Sequence, residues 1–210
     1  MSMQLDKVQP KNRVQLEQLI GYAFKHNIYD LNFIDTSKIT NMYELFEYIE
    51  HDFNVSKWDT SNVTCMEYMF DGCKNFNCDL SYWDVSNVTD MAGMFVGCEN
   101  FNCDLSYWDV SNVKNMSYMF YRCYKFTGKG IGNWNVSNVK DIGGMFAGCE
   151  KFDCDLSNWD MSNVTDMGYA FIDCEKFKGK GLENWNVTNV TNMRRMFDGC
   201  NKLTIPDWYK

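Results

Sequence analysis

Ten cysteines and two histidines are the side chains of this sequence best suited to nucleophilic or metal chemistry. Their spacing decides how far that chemistry goes. Six cysteines form one column, Cys73, Cys98, Cys123, Cys149, Cys174 and Cys200; Cys78, Cys103 and Cys154 each stand five residues after a member of it, and Cys65 stands apart. The first column is filled in every unit and the second in only three, so its role needs no partner thiol. A small buried side chain packed in a corner meets that description, and we read the six as a structural ladder of reduced thiols. Two alternatives use the same residues. Local bridges Cys73–Cys78, Cys98–Cys103 and Cys149–Cys154 require paired Cα atoms within about 7 Å and an oxidising compartment. A zinc site would have to combine a C-x4-C spacing with His26 and His51, which is not the usual ligand pattern.

Other chemistries lack parts. Serine recurs in nearly every unit without a recurring histidine, which leaves no material for a hydrolytic triad. Asp59, Asp84, Asp109 and Asp160 align, with Asn135 and Asn186 in the remaining two units. A row of carboxylates invites calcium, but the two asparagines fit a local Asx-type turn better. Lys129 and Lys180 sit in the glycine-bearing segments FTGKGIGNW and FKGKGLENW, where an anion could be held, although neither is a phosphate-loop motif. We expect no catalytic residue, no cofactor and no metal.

The elements that position these groups are repeats. Trp58, Trp83, Trp108, Trp134, Trp159 and Trp185 recur at intervals of 25 or 26 residues, a period that marks stacked repeats. Within the second unit Trp83, Val88, Met91, Met94, Phe95, Cys98, Phe101 and Leu105 supply the apolar positions, and the fourth unit repeats them. Met91, Met94 and Phe95, at i, i+3 and i+4, predict a short helical turn, with Ser86 placed to cap it. Asp104–Trp108 reads as a short strand. One unit cannot fold alone: eight buried side chains return roughly 12–24 kcal/mol, against about 25–50 kcal/mol to order 25 residues. Stacking supplies the difference. The expected architecture is a solenoid with short parallel strands and short helical turns in each coil. An N-terminal helical cap over 1–33 carries Val14, Leu16, Leu19, Ile20, Ala23 and Phe24 at helical spacing, and one degenerate and six clear repeats fill 34–208 (58–82, 83–107, 108–133, 134–158, 159–184 and 185–208). Pro206 and the polar and aromatic residues after it read as a closing cap.

The phrases WDVSNVTDM, GMFxGC and FNxDLSxW resemble the BspA-like repeats of bacterial surface proteins and mycoplasmal lipoproteins, over about residues 31–208. The resemblance implies a leucine-rich-repeat-like fold and a surface, adhesion or host-interaction role. It carries over no catalytic residue. The chain shows no signal peptide and no span of about 20 apolar residues, so the residues by themselves place it in the cytoplasm, and the resemblance places it at the cell surface.

A net charge of −8 disfavours nucleic acid and anionic lipid as partners. The expected function is non-catalytic: a regular surface offered to a protein or a glycan by a monomer or a weakly self-associating chain, with a self-assembling scaffold as the alternative. Tyr82 and Tyr107 hold a column that turns to asparagine at Asn133, Asn158 and Asn184. With Asp84 and Asp109 beside them, they are the candidate partner-binding residues; a plain aromatic pair packed across neighbouring strands is the alternative.

Overall fold

A computed structural model describes residues 7–210; residues 1–6 of the expected cap lie outside the described residues. Each coil is hydrogen-bonded to the coil before it and the coil after it. Isolated parallel bridges mark the register, running Asn41 to Cys65, Asp90, Asn115, Asp141, Asp166 and Asn192 in succession.

The expected strand and helical turn are both replaced by chained turns. In Met91–Cys98, alternate N–H groups leave the coil: those of Met91, Gly93, Phe95 and Gly97 donate to the carbonyls of Asn115, Ser117, Met119 and Tyr121 in the next coil. The N–H groups between them turn back three residues, Met94 to Met91, Val96 to Gly93 and Cys98 to Phe95. Gly93 and Gly97 take positive φ, 60° and 67°, at the third position of these turns. A left-handed residue every fourth position forbids a helix, and the apolar spacing read as helical belongs to the turns. Ser86 caps no helix; its N–H and hydroxyl both donate to Asp84 Oδ1. Likewise Asp104–Trp108 is a turn rather than a strand, with the Ser106 N–H on Asp104 Oδ1. Among the described residues the helices are Arg13–Lys25 (α1) and the two 3-10 turns Ile131–Asn133 and Leu182–Asn184. These short turns absorb the extra residue of the two longer repeats.

The core is a set of columns. Phe70, Phe95, Phe120 and Phe146 lie ring over ring at 5.5, 5.6 and 5.8 Å, close to the strand-to-strand spacing of a sheet. In the first five clear units the second phenylalanine packs beside the first, as Phe126 does on Phe120 at 4.1 Å, and Leu203 takes its place in the sixth. The tryptophans bind as well as fill: Trp83, Trp108 and Trp134 donate their indole N–H to the carbonyls of Val55, Leu80 and Leu105 in the preceding coil. The ladder does not stop at Trp185. Trp208, read from sequence as part of a closing cap, stacks on Trp185 at 6.3 Å and donates to Leu182 O at 2.7 Å.

α1 covers the first coil. Asn12 caps it by accepting from the Gln15 N–H, and Leu16, Ile20 and Ala23 are buried. Val14, expected on that face, is 60% exposed.

Candidate interaction surface

The chained turns point Met, Phe and Cys inward and leave the positions of Gly93, Val96 and Gly97 facing out. Those positions read Tyr118, Tyr121 and Arg122 in the third coil, Gly144, Ala147 and Gly148 in the fourth, and Tyr169, Ile172 and Asp173 in the fifth. A coil with almost no side chains therefore lies between two coils with large ones. A groove of about 590 Å³ opens there, floored by Ala147 and Gly148, within the usual size of a binding site.

Its walls are organised. Tyr118 lies against the fourth coil: a Cβ on Gly144 would fall 2.5 Å from Tyr118 Cε1. Tyr118 meets Tyr121 edge-on at 6.0 Å, and the Arg122 guanidinium sits over the Tyr121 ring at 5.1 Å. Opposite, Arg194 lies over the Tyr169 ring at 5.8 Å. Glu150, Asp173 and Glu175 line the rim and join no ion pair among the described residues. Tyr118, Arg122, Tyr169 and Asp173 all have positive φ, between 56° and 60°. That region costs a side-chain-bearing residue about 1–2 kcal/mol, so four strained residues converge on one groove.

None of the four sequence-predicted binding residues lines this groove. Tyr82 and Tyr107 are 85% and 81% exposed, so they are not a packed aromatic pair. Asp84 and Asp109 each accept from a backbone N–H two residues on, Ser86 and Ser111. The Ser111 side-chain and backbone hydrogen bonds hold the Asp109 carboxyl below its usual range. Asn135 makes the same turn with Ser137, so the aligned acids act as turn formers.

The ladder cysteines have a directional role. The thiols of Cys73, Cys98, Cys123, Cys149, Cys174 and Cys200 donate to the carbonyls of Phe46, Phe70, Phe95, Phe120, Phe146 and Phe171, at 2.9–3.1 Å. Burial pushes the Cys73 thiol up to about 12 and raises those of Cys98, Cys123 and Cys174 well above the ordinary value. These are poor nucleophiles. The second column faces elsewhere: Cys103 donates to Cys78 O, and Cys78 to Asn54 Oδ1. All ten cysteines are free. A matching ladder joins side-chain amides to backbone, Asn87 to Ser61 O and Asn112 to Ser86 O.

Lys129 and Lys180 are taken by the preceding coil, pairing with Asp104 at 3.2 Å and Asp155 at 2.5 Å. The glycines beside them serve close approach: a Cβ on Gly130 would lie 2.3 Å from the Ser106 nitrogen. No group of three or more His, Cys, Asp or Glu among the described residues is placed to hold a metal ion, and no helix among them is long and apolar enough to cross a membrane.

The groove left a readable trace in the sequence. Where GMFxGC has glycine twice, the third and fifth units have Tyr118–Arg122 and Tyr169–Asp173. Large residues at glycine positions are that signal, and Tyr82 and Tyr107, beside their tryptophans, do not carry it.

The profile of a family described as "Mycoplasma protein of unknown function, DUF285" matches residues 14–130 and 123–208. No curated protein matches the chain. Among solved structures, a chain in the crystal structure of a TLR13-ssRNA13 complex aligns with 93% of this chain at 11% identity and a TM-score of 0.22. The alignment spans 41% of that chain, and the score is too low to bear on fold or function.

Proposed function

The chain belongs to the DUF285 family, and from that premise we propose that it is a leucine-rich-repeat-like solenoid of BspA-like type serving as a non-catalytic interaction module for a protein or glycan partner. The observation that carries this reading is the groove over Ala147 and Gly148. It is a concave place where unlike side chains converge on a scaffold that otherwise repeats. Tyrosine and arginine are the residues that contribute most at recognition surfaces. The groove holds no nucleophile paired with a base, and the ladder thiols keep their protons through burial, complete at Cys73, Cys98, Cys123, Cys149 and Cys174 and partial at Cys200, which supports binding over catalysis. Binding to protein and glycan arrays, by the wild type and by a Tyr118→Ala/Ile172→Ala variant of unchanged thermal stability, tests the reading. A ligand held by the wild type and lost by the variant is the expected result. Equal binding by both, or chemical turnover of the ligand, sinks it.

A second reading, self-association, draws on the outer edge of the last coil. The N–H groups of Met193, Arg195, Phe197 and Gly199 match the donors that every earlier coil gives to the next. They meet no backbone acceptor among the described residues. A sedimentation mass that rises with concentration would favour this reading.

A further inference from the structure

We propose that the groove between the third and fifth coils takes a cationic side chain, a guanidinium or ammonium group, from a basic segment of a partner protein. This rests on the interaction-module reading and adds the chemistry of the ligand. Two observations carry it. The first is charge. Of the residues lining the groove, Glu150, Asp173 and Glu175 are acidic and Arg122 is basic; Arg194 is held over the Tyr169 ring, and none of the three carboxylates is ion-paired among the described residues. A groove that concentrates unpaired carboxylates beside ring faces favours an incoming cation over an anion or a neutral group.

The second is what the chain already does with its own arginines. The chain has four, Arg13, Arg122, Arg194 and Arg195. Three lie over tyrosine rings: Arg13 over Tyr43, Arg122 over Tyr121 and Arg194 over Tyr169, at 5.8, 5.1 and 5.8 Å. Tyr43, Tyr121 and Tyr169 serve as guanidinium platforms, and Tyr118 and Tyr124 line the groove without a guanidinium over them among the described residues. Dehydrating a weakly hydrated guanidinium against a ring face costs less than burying an ammonium, so arginine is the preferred guest. Lys125, Lys151 and Lys176 follow Tyr124, Glu150 and Glu175 in sequence but pair with none of the rim carboxylates.

The test is a titration of the isotope-labelled full chain, followed by its backbone amide resonances. It is run at about 150 mM salt, where exposed charges beyond roughly 8 Å are screened. The probes are acetylated tetra-arginine amide, tetra-glutamate amide and maltotetraose. Tetra-arginine is expected to shift Ala147, Gly148 and Asp173, and the other two probes are not. The variant Glu150→Gln/Asp173→Asn/Glu175→Gln should bind it about tenfold more weakly, the sum of three exposed ion pairs. Asparagine tolerates positive φ, so Asp173→Asn keeps the backbone. Asp84→Asn/Asp109→Asn/Asp160→Asn removes the same charge away from the groove, with Asn135 as the native precedent for the turn, and should bind within twofold of the wild type. Equal weakening by the two triple variants would reduce the effect to net charge and overturn the proposal. Maltotetraose shifting the groove while tetra-arginine does not would overturn the cation and leave the interaction module standing. If no probe moves the groove resonances, the proposal fails, whatever the array experiment gives.

Discussion

The column that holds Cys123 and the column that holds Tyr118 run along the same coils five residues apart, yet they are built on opposite rules. Along the cysteine column every unit has the same residue, each thiol donates to a phenylalanine carbonyl one coil back, and burial keeps the proton in place. Along the tyrosine column the residue changes at every step: Tyr68, Gly93, Tyr118, Gly144, Tyr169 and Arg195. These residues keep their backbone in a region where only glycine is at ease. The first column is uniform because each copy must fit the next. The second alternates because each tyrosine ring lies over the glycine of the next coil, Tyr68 over Gly93 and Tyr118 over Gly144, and where it combines large and absent side chains it makes a groove.

The uniform column gives the largest expected effect. Folded, the ladder thiols keep their protons well above the ordinary value of 9.0; unfolded, they titrate near it. Between about pH 9 and 12 the unfolded chain therefore binds fewer protons than the folded one, and stability falls as pH rises. It is intact below pH 9. Each thiol that stays protonated only when folded contributes about 1.4 kcal/mol per pH unit of that slope. Denaturant melts at pH 8.5, 9.5 and 10.5 should show a steep loss, and Cys123→Ala/Cys149→Ala should flatten the slope by roughly 3 kcal/mol per pH unit. An unchanged slope would mean that the column does not hold its protons as described.

Next comes the phenylalanine column that the thiols cap. Phe120 is fully buried between Phe95 and Phe146, and Phe120→Ala should cost about 3–5 kcal/mol in urea unfolding. A smaller loss would mean that neighbouring coils can close over the gap, against the in-register packing.

Where the two regions touch, the effects become coupled. Gly144 has φ +62°, and Tyr118 covers its α-carbon. Gly144→Ala meets both the backbone preference and the ring, and should destabilise by about 1–3 kcal/mol. In a Tyr118→Ala background only the backbone part remains, so the double-mutant cycle should be non-additive. Additivity would show that the ring does not rest on the glycine.

The uniform region was legible in sequence, and the variable one left only the trace of large residues at glycine positions. Period, stacking and the inward positions of Met91, Phe95, Cys98 and Trp108 follow from residue types that must recur. The local conformation did not follow, because Met91, Met94 and Phe95 at i, i+3 and i+4 fit a helical turn and a chain of tight turns equally well. What separates them is the left-handed geometry at Gly93 and Gly97, which a glycine in sequence permits without requiring. Trp208 was missed because it follows Trp185 by 23 residues rather than 25 or 26, and the shorter last loop hid the repeat. The groove was missed because it is a difference between coils, visible only when the third, fourth and fifth are placed side by side.

Strain in the variable column yields a prediction of opposite sign. Arg122 has φ +58°, where second, fourth and sixth units have Gly97, Gly148 and Gly199. Arg122→Gly should raise stability by about 0.5–1 kcal/mol after subtracting the cation–π contact with Tyr121, measured as a higher urea midpoint at constant m-value. A loss would show that the arginine packs better than its strain costs.

The smallest effect belongs to the residues that sequence favoured. Tyr82 and Tyr107, at 85% and 81% exposure, bury too little area for truncation to matter, and their backbone does not take positive φ. Tyr82→Ala/Tyr107→Ala should change stability by no more than about 0.5 kcal/mol. It should also leave binding of any groove ligand unchanged, while Tyr118→Ala/Ile172→Ala removes it. The two double variants each delete large apolar side chains from coil positions that face outward, so non-specific stickiness of exposed rings would affect both alike. Binding lost with Tyr82 and Tyr107 and kept without Tyr118 and Ile172 would move the interaction surface to the tryptophan side of the coils, where the sequence alone had placed it.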